Sequence, residues 1–595
     1  MARGVLLSPS RQTLSRRRLA YPGIRTLSLE RVVSLVPLMK KRLSTALLLA
    51  VGTALPSQAQ NPPITGTTIV TAAYQNRSLH ASQSIELQPG FTVTTPGFEA
   101  LVQPPATVGS WSPLMPWGPA GHAFVGIHTH VLPTGKVLSW EGHNADNHDT
   151  QADAYVWDPA TNSYEHCDNT SSNVFCSGHS FLPDGRLLVA GGHYSDGNPL
   201  PADAPPGTQP GYVGLRDANL FNPFTRQWQT KNSSPSIPQL TDRRWYPTNT
   251  SLSNGEVLVT AGQIDGGTVP GGRGRQSTLP EVWQTSGTWR RLTAAARTLP
   301  LYPWMFVAPN GRVFNAGPNT DTRYLNTSGT GAWGPEVFTS QYGWRWNGTA
   351  LLYNRGQVAL IGGNRGDGAT PTIELIDLTA ATPQFRFGTP MQFARHHVNA
   401  TLLADGTVLV TGGTRSNSNS DTDAVLPVEI WTPPALGSTG GGSWATMAAM
   451  STPRLYHSTA VLLPDGRVLS AGGGQGGGFT DHRDAEIFSP PYLFRGPRPQ
   501  LTAAPQAVLY GQTFAVSTPN ASAIAKVTWI RLSSVTHSIN MNQRINYLPF
   551  TASSTGLTLT APTNANDCPP GHYMLFLVDA NGVPSVARIV SINSN

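Results

Sequence analysis

For 595 residues the chain is poor in cysteine, in charge and in long apolar runs. It has only Cys167, Cys176 and Cys568. That is too few for a disulfide scaffold, and the odd count leaves at least one thiol without an intramolecular disulfide partner. Charged residues make up 12%, which excludes long helices laced with ion pairs, while 39% apolar residues spread along the chain exclude general disorder. The net charge of +7 is misplaced rather than functional: ten Lys and Arg against the single acid Glu30 fall within the first 60 residues. The remaining 30 basic and 32 acidic groups nearly cancel, so neither nucleic acid nor an anionic membrane is an expected partner.

The apolar run at 43–55 is too short to span a bilayer, and no membrane span is expected. It follows Met39, Lys40, Lys41 and Arg42 and precedes Ser57-Gln58-Ala59, the order of a secretory signal. Residues 1–59 are thus expected to be a leader with its signal core at 39–59, cut near Ala59 to leave a secreted, periplasmic or extracellular product. The Arg-rich stretch 1–38 is an upstream start or a leader.

What the chain has in abundance is glycine, 60 residues, and proline, 51, which suit an all-β, turn-rich protein. Seven segments repeat one plan, a small-residue turn followed by an apolar strand: LPTGKVLSWEG, LPDGRLLVAGG, LSNGEVLVTAG, APNGRVFNAG, YNRGQVALIGG, LADGTVLVTGG and LPDGRVLSAGG. Their turn glycines, Gly135, Gly185, Gly255, Gly311, Gly356, Gly406 and Gly466, are 45 to 70 residues apart, the spacing of β-propeller blades. A seven-bladed kelch-type propeller is expected over 109–488, after a short N-terminal β-segment at 60–108. From 489 to 595 the repeat stops and short alternating strands read as an immunoglobulin-like sandwich.

Nine residues before each turn glycine the chain carries, in order, Gly126, Cys176, Tyr246, Tyr302, Asn347, His397 and His457. No packing rule fills equivalent positions with that set. If this register of the innermost strands projects into the axial channel, Cys176, Tyr246 and His457 share one space. Tyr456, next to His457, joins them only where the strand begins and alternation relaxes. Imidazoles with phenolic oxygens suit copper, whereas zinc more often takes thiolate, imidazole or carboxylate. The repeat is equally compatible with a non-catalytic kelch propeller binding a glycan or cell-wall polymer. A hydrolase or lyase would need paired carboxylates at the register, and none stands there.

Four segments resemble the site segments of the copper radical oxidases, the galactose oxidase and glyoxal oxidase group: VFCSGH at 174–179, RWYP at 244–247, RLYHS at 454–458 and VTHSINMNQR at 535–544. The likeness runs from about residue 115 to the end and includes PGHYMLFLVDANGVPS at 570–585. The resemblance implies a thioether between Cys176 and Tyr246 as a self-derived radical cofactor. It further implies a copper ion held by Tyr246, Tyr456, His457 and His537, with Tyr456 as the base. The implied reaction oxidises a primary alcohol, small aldehyde or sugar while O2 becomes hydrogen peroxide, and RWYP leans towards the glyoxal oxidase side. The galactose oxidase tryptophan that stacks on the cross-linked ring has no counterpart in GQIDGG at 262–267, so Trp245 is a candidate replacement. Tyr302, Asn347 and His397 are candidates for substrate contact, Cys167 and Cys568 for a pair across domains, and the protein is expected to be a monomer.

Overall fold

The computed structural model describes residues 67–70, 78–81, 84–87, 99–142, 152–194, 213–269, 273–417, 420–476 and 478–593; the expected leader lies outside the described residues. The seven turn glycines all have φ between +63° and +89°, the left-handed conformation a tight D-G or N-G hairpin demands. Each joins two apolar strands whose residues are almost all buried, as in Leu187–Ala190 and Val257–Thr260.

Blade 1 is an antiparallel meander of His128–Val131, Val137–Trp140, Ala154–Asp158 and Ser163–His166. The plan recurs in blades 2 to 6, whose innermost strands are Gly178–Phe181, Thr248–Ser251, Trp304–Val307, Thr349–Asn354 and His396–Leu402. Blade 7 uses Ser458–Leu462, Val468–Gly472 and Asp484–Ser489, and borrows Ser110–Trp111 as a further strand through the pair Phe488↔Trp111. The last blade is thus completed by the chain before the first, which closes the ring and removes its free edge. Ahead of it, Thr67–Val70 pairs in parallel with Ser84–Leu87, and Ser78–Ala81 with Glu99–Val102.

Residues 507–593 form a five-stranded and a three-stranded sheet around a core that includes Trp529, Tyr573 and Leu575. One hairpin leaves this sandwich. Ser534–Thr536 pairs antiparallel with the innermost strand of blade 1, Thr536 opposite His128 and Ser534 opposite His130, so the second domain adds two strands to the propeller's own sheet.

A buried arginine repeats ahead of four innermost strands. The Nη1 groups of Arg244, Arg345, Arg395 and Arg454 donate to the carbonyls of Ala261, Gly362, Gly412 and Gly472, at the far end of the second strand. Arg244, Arg345 and Arg395 also pair with Glu281, Glu374 and Glu429 on the third strand, and every partner in these pairs is at most 1% exposed. Removing one partner would strand a buried charge at a cost of about 3–5 kcal/mol. The small residues closing the second strand let neighbouring blades touch backbone to backbone. A Cβ on Gly191 would lie 2.3 Å from the Arg244 carbonyl oxygen, and one on Gly412 2.3 Å from that of Arg454. This lattice fixes the loops that immediately precede those four innermost strands.

Candidate functional site

Those loops carry the variable register. Cys176, Tyr246, Tyr302, Asn347, His397 and His457 all have positive φ, from +47° to +67°. The expectation that they project from the innermost strands is therefore corrected: most sit one or two residues before the strand, in a left-handed turn, and His397 lies at a break in the pairing between His396 and Val398. For an L-residue this conformation costs of order 1–2 kcal/mol, and six of them together are a strained ring held by the surrounding structure. The turns also join the blades to one another: Tyr246 N donates to Cys176 O at 2.9 Å, Tyr302 N to Tyr246 O at 2.9 Å, and His397 N to Asn347 O at 2.7 Å.

The left-handed turn abolishes strand alternation, so sequence neighbours end up face to face. Trp245 stacks on Tyr246 with ring centroids 3.8 Å apart and 16° between planes, and Tyr456 stacks on His457 at 3.7 Å and 25°. Tyr302 also stacks on Tyr246, at 4.5 Å and 24°. Two rings that close cannot share one face without overlap, so the Tyr246 ring is sandwiched between Trp245 and Tyr302.

The polar atoms converge. The hydroxyls of Tyr246 and Tyr456 are in direct contact. His537 Nε2 lies 2.9 Å from the Tyr246 hydroxyl and 3.7 Å from Cys176 Sγ, and donor atoms of Cys176, His457 and His537 all fall within 4.8 Å of one another. His537 sits between the two inserted strands with φ +48°, and its Nδ1 is 2.6 Å from Thr536 Oγ1. His457 Nδ1 lies 2.6 Å from the Gly474 carbonyl, which can only accept, so this nitrogen carries the proton and Nε2 carries the lone pair. Burial first, and His457 next, hold His537 well below the ordinary imidazole range. Neutral imidazoles are the ligand-competent form. Burial pushes the Cys176 thiol and the Tyr246 phenol well up, with the contacts to Tyr246 and Trp245 opposing it at the thiol and Cys176 adding to it at the phenol. Cys176, His457 and His537 alone would suit zinc, whereas two imidazoles joined by the Tyr246 and Tyr456 phenols are a copper set.

These groups floor a cavity of about 460 Å³ whose wall includes Trp245, Leu301, Trp304, Trp346, Phe479 and Ile539. Tyr302, Asn347 and His397 line it too, Asn347 Nδ2 lying 3.3 Å from His397 Nε2. Among the described residues no Asp, Glu, Lys or Arg lines it. Cys167 and Cys568 are both buried free thiols. The expected pair between them is not made.

A second layer escaped the sequence reading. Cys176 N donates to His128 Nε2 at 3.1 Å, so the proton of that neutral ring is on Nδ1, 3.1 Å from His179 Nε2. His179 must then carry its proton on Nδ1, which is 2.6 Å from Ser534 Oγ, and the serine hydroxyl is 2.9 Å from His130 Nδ1. One directed chain thus runs from the Cys176 amide through three buried imidazoles and the inserted hairpin. Burial, aided by neighbouring imidazoles, holds His128 and His130 well below the usual range, and burial alone holds His179 down to about 3. The only trace in sequence is that His128 and His130 alternate onto one face of a strand.

Residues 498–592 match the family model of the galactose oxidase-like early set domain. The chain is 28% identical over 535 residues to galactose oxidase of Gibberella zeae, covering 82% of this chain and 71% of that protein. It is 26% identical over 512 residues to the aldehyde oxidase GLOX of Vitis pseudoreticulata, covering 79% and 91%. Among solved structures it resembles a copper-bound fungal alcohol oxidase of the AA5 family, with TM-score 0.67, 23% identity, and coverage of 82% of this chain and 100% of the other.

Proposed function

We propose, for a chain that belongs to the copper radical oxidase family of galactose oxidase and glyoxal oxidase, that it is exported after cleavage near Ala59, acts as a monomer, and oxidises a primary alcohol or small aldehyde with O2 as acceptor. The observation that carries this reading is the contact of the Tyr246 and Tyr456 hydroxyls, with His537 Nε2 2.9 Å from Tyr246 and burial favouring the neutral His537 ring. Tyr246, Tyr456, His457 and His537 would hold copper. Copper supplies one one-electron acceptor, and the Tyr246 ring supplies the other.

The ring is prepared first. The Cys176 S–H and an ortho C–H of Tyr246 are replaced by a C–S bond, and the two hydrogens leave to O2 as hydrogen peroxide. Sulfur spreads the unpaired electron and lowers the phenol's potential, while the Trp245 and Tyr302 faces keep water from the ring. In turnover, Tyr456 would take the hydroxyl proton of the bound alcohol and the oxidised Tyr246 ring would take a hydrogen atom from the carbon bearing that hydroxyl, the remaining electron being the one copper would accept. An alcohol RCH2OH and O2 give RCHO and H2O2. A hydrated aldehyde RCH(OH)2 gives the acid by the same count. Tyr302 and His397 would orient the substrate against this pair.

The test is a screen of primary alcohols, small aldehydes and sugars with the copper-loaded protein and peroxide detection, run beside Tyr246→Phe. The reading expects at least about 10⁴-fold loss in the variant, of the size seen when a covalent-catalysis group is deleted, with the thermal unfolding profile preserved. Turnover surviving in the variant contradicts it.

A further inference from the structure

Blade 1 carries a second convergence of ligand atoms, on the rim outside the cavity. Three strand ends meet there: Glu141 follows Val137–Trp140, Asp153 precedes Ala154–Asp158, and His166 closes Ser163–His166. His122 and Asp168 stand beside them.

The contacts do not resolve into ordinary ion pairs. His166 Nε2 is 2.6 Å from Asp153 Oδ1 and also 2.6 Å from Asp168 Oδ1, although one N–H can point at only one acceptor. His122 Nε2 is 2.8 Å from the other oxygen of Asp153, yet this fully buried nitrogen makes no hydrogen bond there. Donor atoms of His122, Glu141 and Asp153 lie within 4.8 Å of one another, and so do those of Asp153, His166 and Asp168, so the Asp153 carboxylate faces both groups. Carboxylates and imidazoles gathered this closely, with His122 Nε2 left without a hydrogen bond among them, are what a shared cation would arrange. A divalent cation would remove the cost of gathering three carboxylates beside two imidazoles.

We propose that His122, Glu141, Asp153, His166 and Asp168 form a second metal site, separate from the cavity and centred on Asp153, that takes a zinc-class divalent cation. Two imidazoles argue against calcium or magnesium, which take oxygen ligands, and a set of imidazole with carboxylate and no thiolate suits zinc. The site has a route to the cavity: Gln475, a lining residue, donates from Nε2 to Glu141 and accepts from the Gly142 amide.

The test uses the full-length protein with its copper already loaded, incubated with micromolar zinc, dialysed against metal-free buffer and analysed for both metals. Wild type is expected to keep one zinc per chain beyond its copper, and zinc should raise its unfolding temperature by mass action. The double variant Asp153→Asn, His166→Gln is expected to keep none, with copper content and peroxide turnover unchanged. His166→Gln alone, at a side chain 53% exposed and tolerant of substitution, should weaken zinc retention at least about 10-fold and covers the case in which the double variant does not fold. Wild type without retained zinc, or His166→Gln retaining it as tightly, overturns the proposal.

Discussion

The two ends of the innermost hairpin in each blade are built differently from the same backbone strain. At one end the chain turns through a left-handed residue that is glycine in all seven blades, with φ from +63° to +89°. At the other it enters the hairpin through a left-handed residue that is Cys176, Tyr246, Tyr302, Asn347, His397 or His457 in six of them. At the first end the residue without a Cβ minimises the strain. At the second, six side chains are kept despite it. The difference separates scaffold from site: strain relieved by glycine is architectural, and strain retained at equivalent positions marks side chains that are needed where the turn puts them.

Substitutions at the two ends should therefore part company. The largest effect after Tyr246→Phe is expected at its partner: Tyr456→Phe should cut turnover by about 10²–10⁴-fold without shifting the unfolding temperature, since it removes a base and leaves the ring. Steady-state peroxide assays beside thermal melts check this. His128→Ala should come next. It deprives the buried Cys176 amide of its acceptor, costs about 1–3 kcal/mol of stability, and slows thioether formation followed by peptide mass. His128→Gln, which restores an acceptor, should recover part of both.

At the turn end, Gly466→Ala should cost about 1–2 kcal/mol and leave turnover intact, because the new Cβ meets nothing closer than 3.6 Å and only φ +84° opposes it. The smallest and most discriminating change is Asn347→Gly, expected to stabilise by a few tenths of a kcal/mol as strain is released. Chemical denaturation measures both, and an Asn347→Gly loss above about 1 kcal/mol would contradict the strain argument.

The buried imidazoles behind the site add a pH test. His130 and His179 are held below the ordinary value by burial, so the unfolded chain binds their protons first. Stability is then full above pH ~6.5 and falls as pH drops, for His179 until about 3, by at most about 1.4 kcal/mol per pH unit for each histidine. Melting curves across that range should flatten in a His130→Asn variant.

Much of this was legible in the sequence, for reasons that differ by element. The propeller followed from seven X-G turns, five of them D-G or N-G, because hairpin chemistry is local. The site positions were legible as a register, but their conformation was not, since nothing in a Cys or His announces a positive φ. That is why Trp245 stood only as a guess for the ring against Tyr246: strand alternation puts neighbours on opposite faces, and only the left-handed turn stacks them. The hairpin Ser534–Asn540, which adds to blade 1, pairs across about 400 residues and leaves no local pattern. The chain from Cys176 through His128 and His179 to His130 depends on tautomers that only the three-dimensional arrangement fixes.

The account turns on Cys176 and Tyr246 becoming one covalent unit. The direct measurement is mass spectrometry of peptides from protein exposed to copper and O2, with thiols alkylated before digestion. The account predicts a Cys176–Tyr246 linked peptide lighter by two hydrogen atoms than the sum of its parts, absent from Tyr246→Phe. Recovery of Cys176 as a fully alkylated free thiol from copper-treated wild type would contradict it.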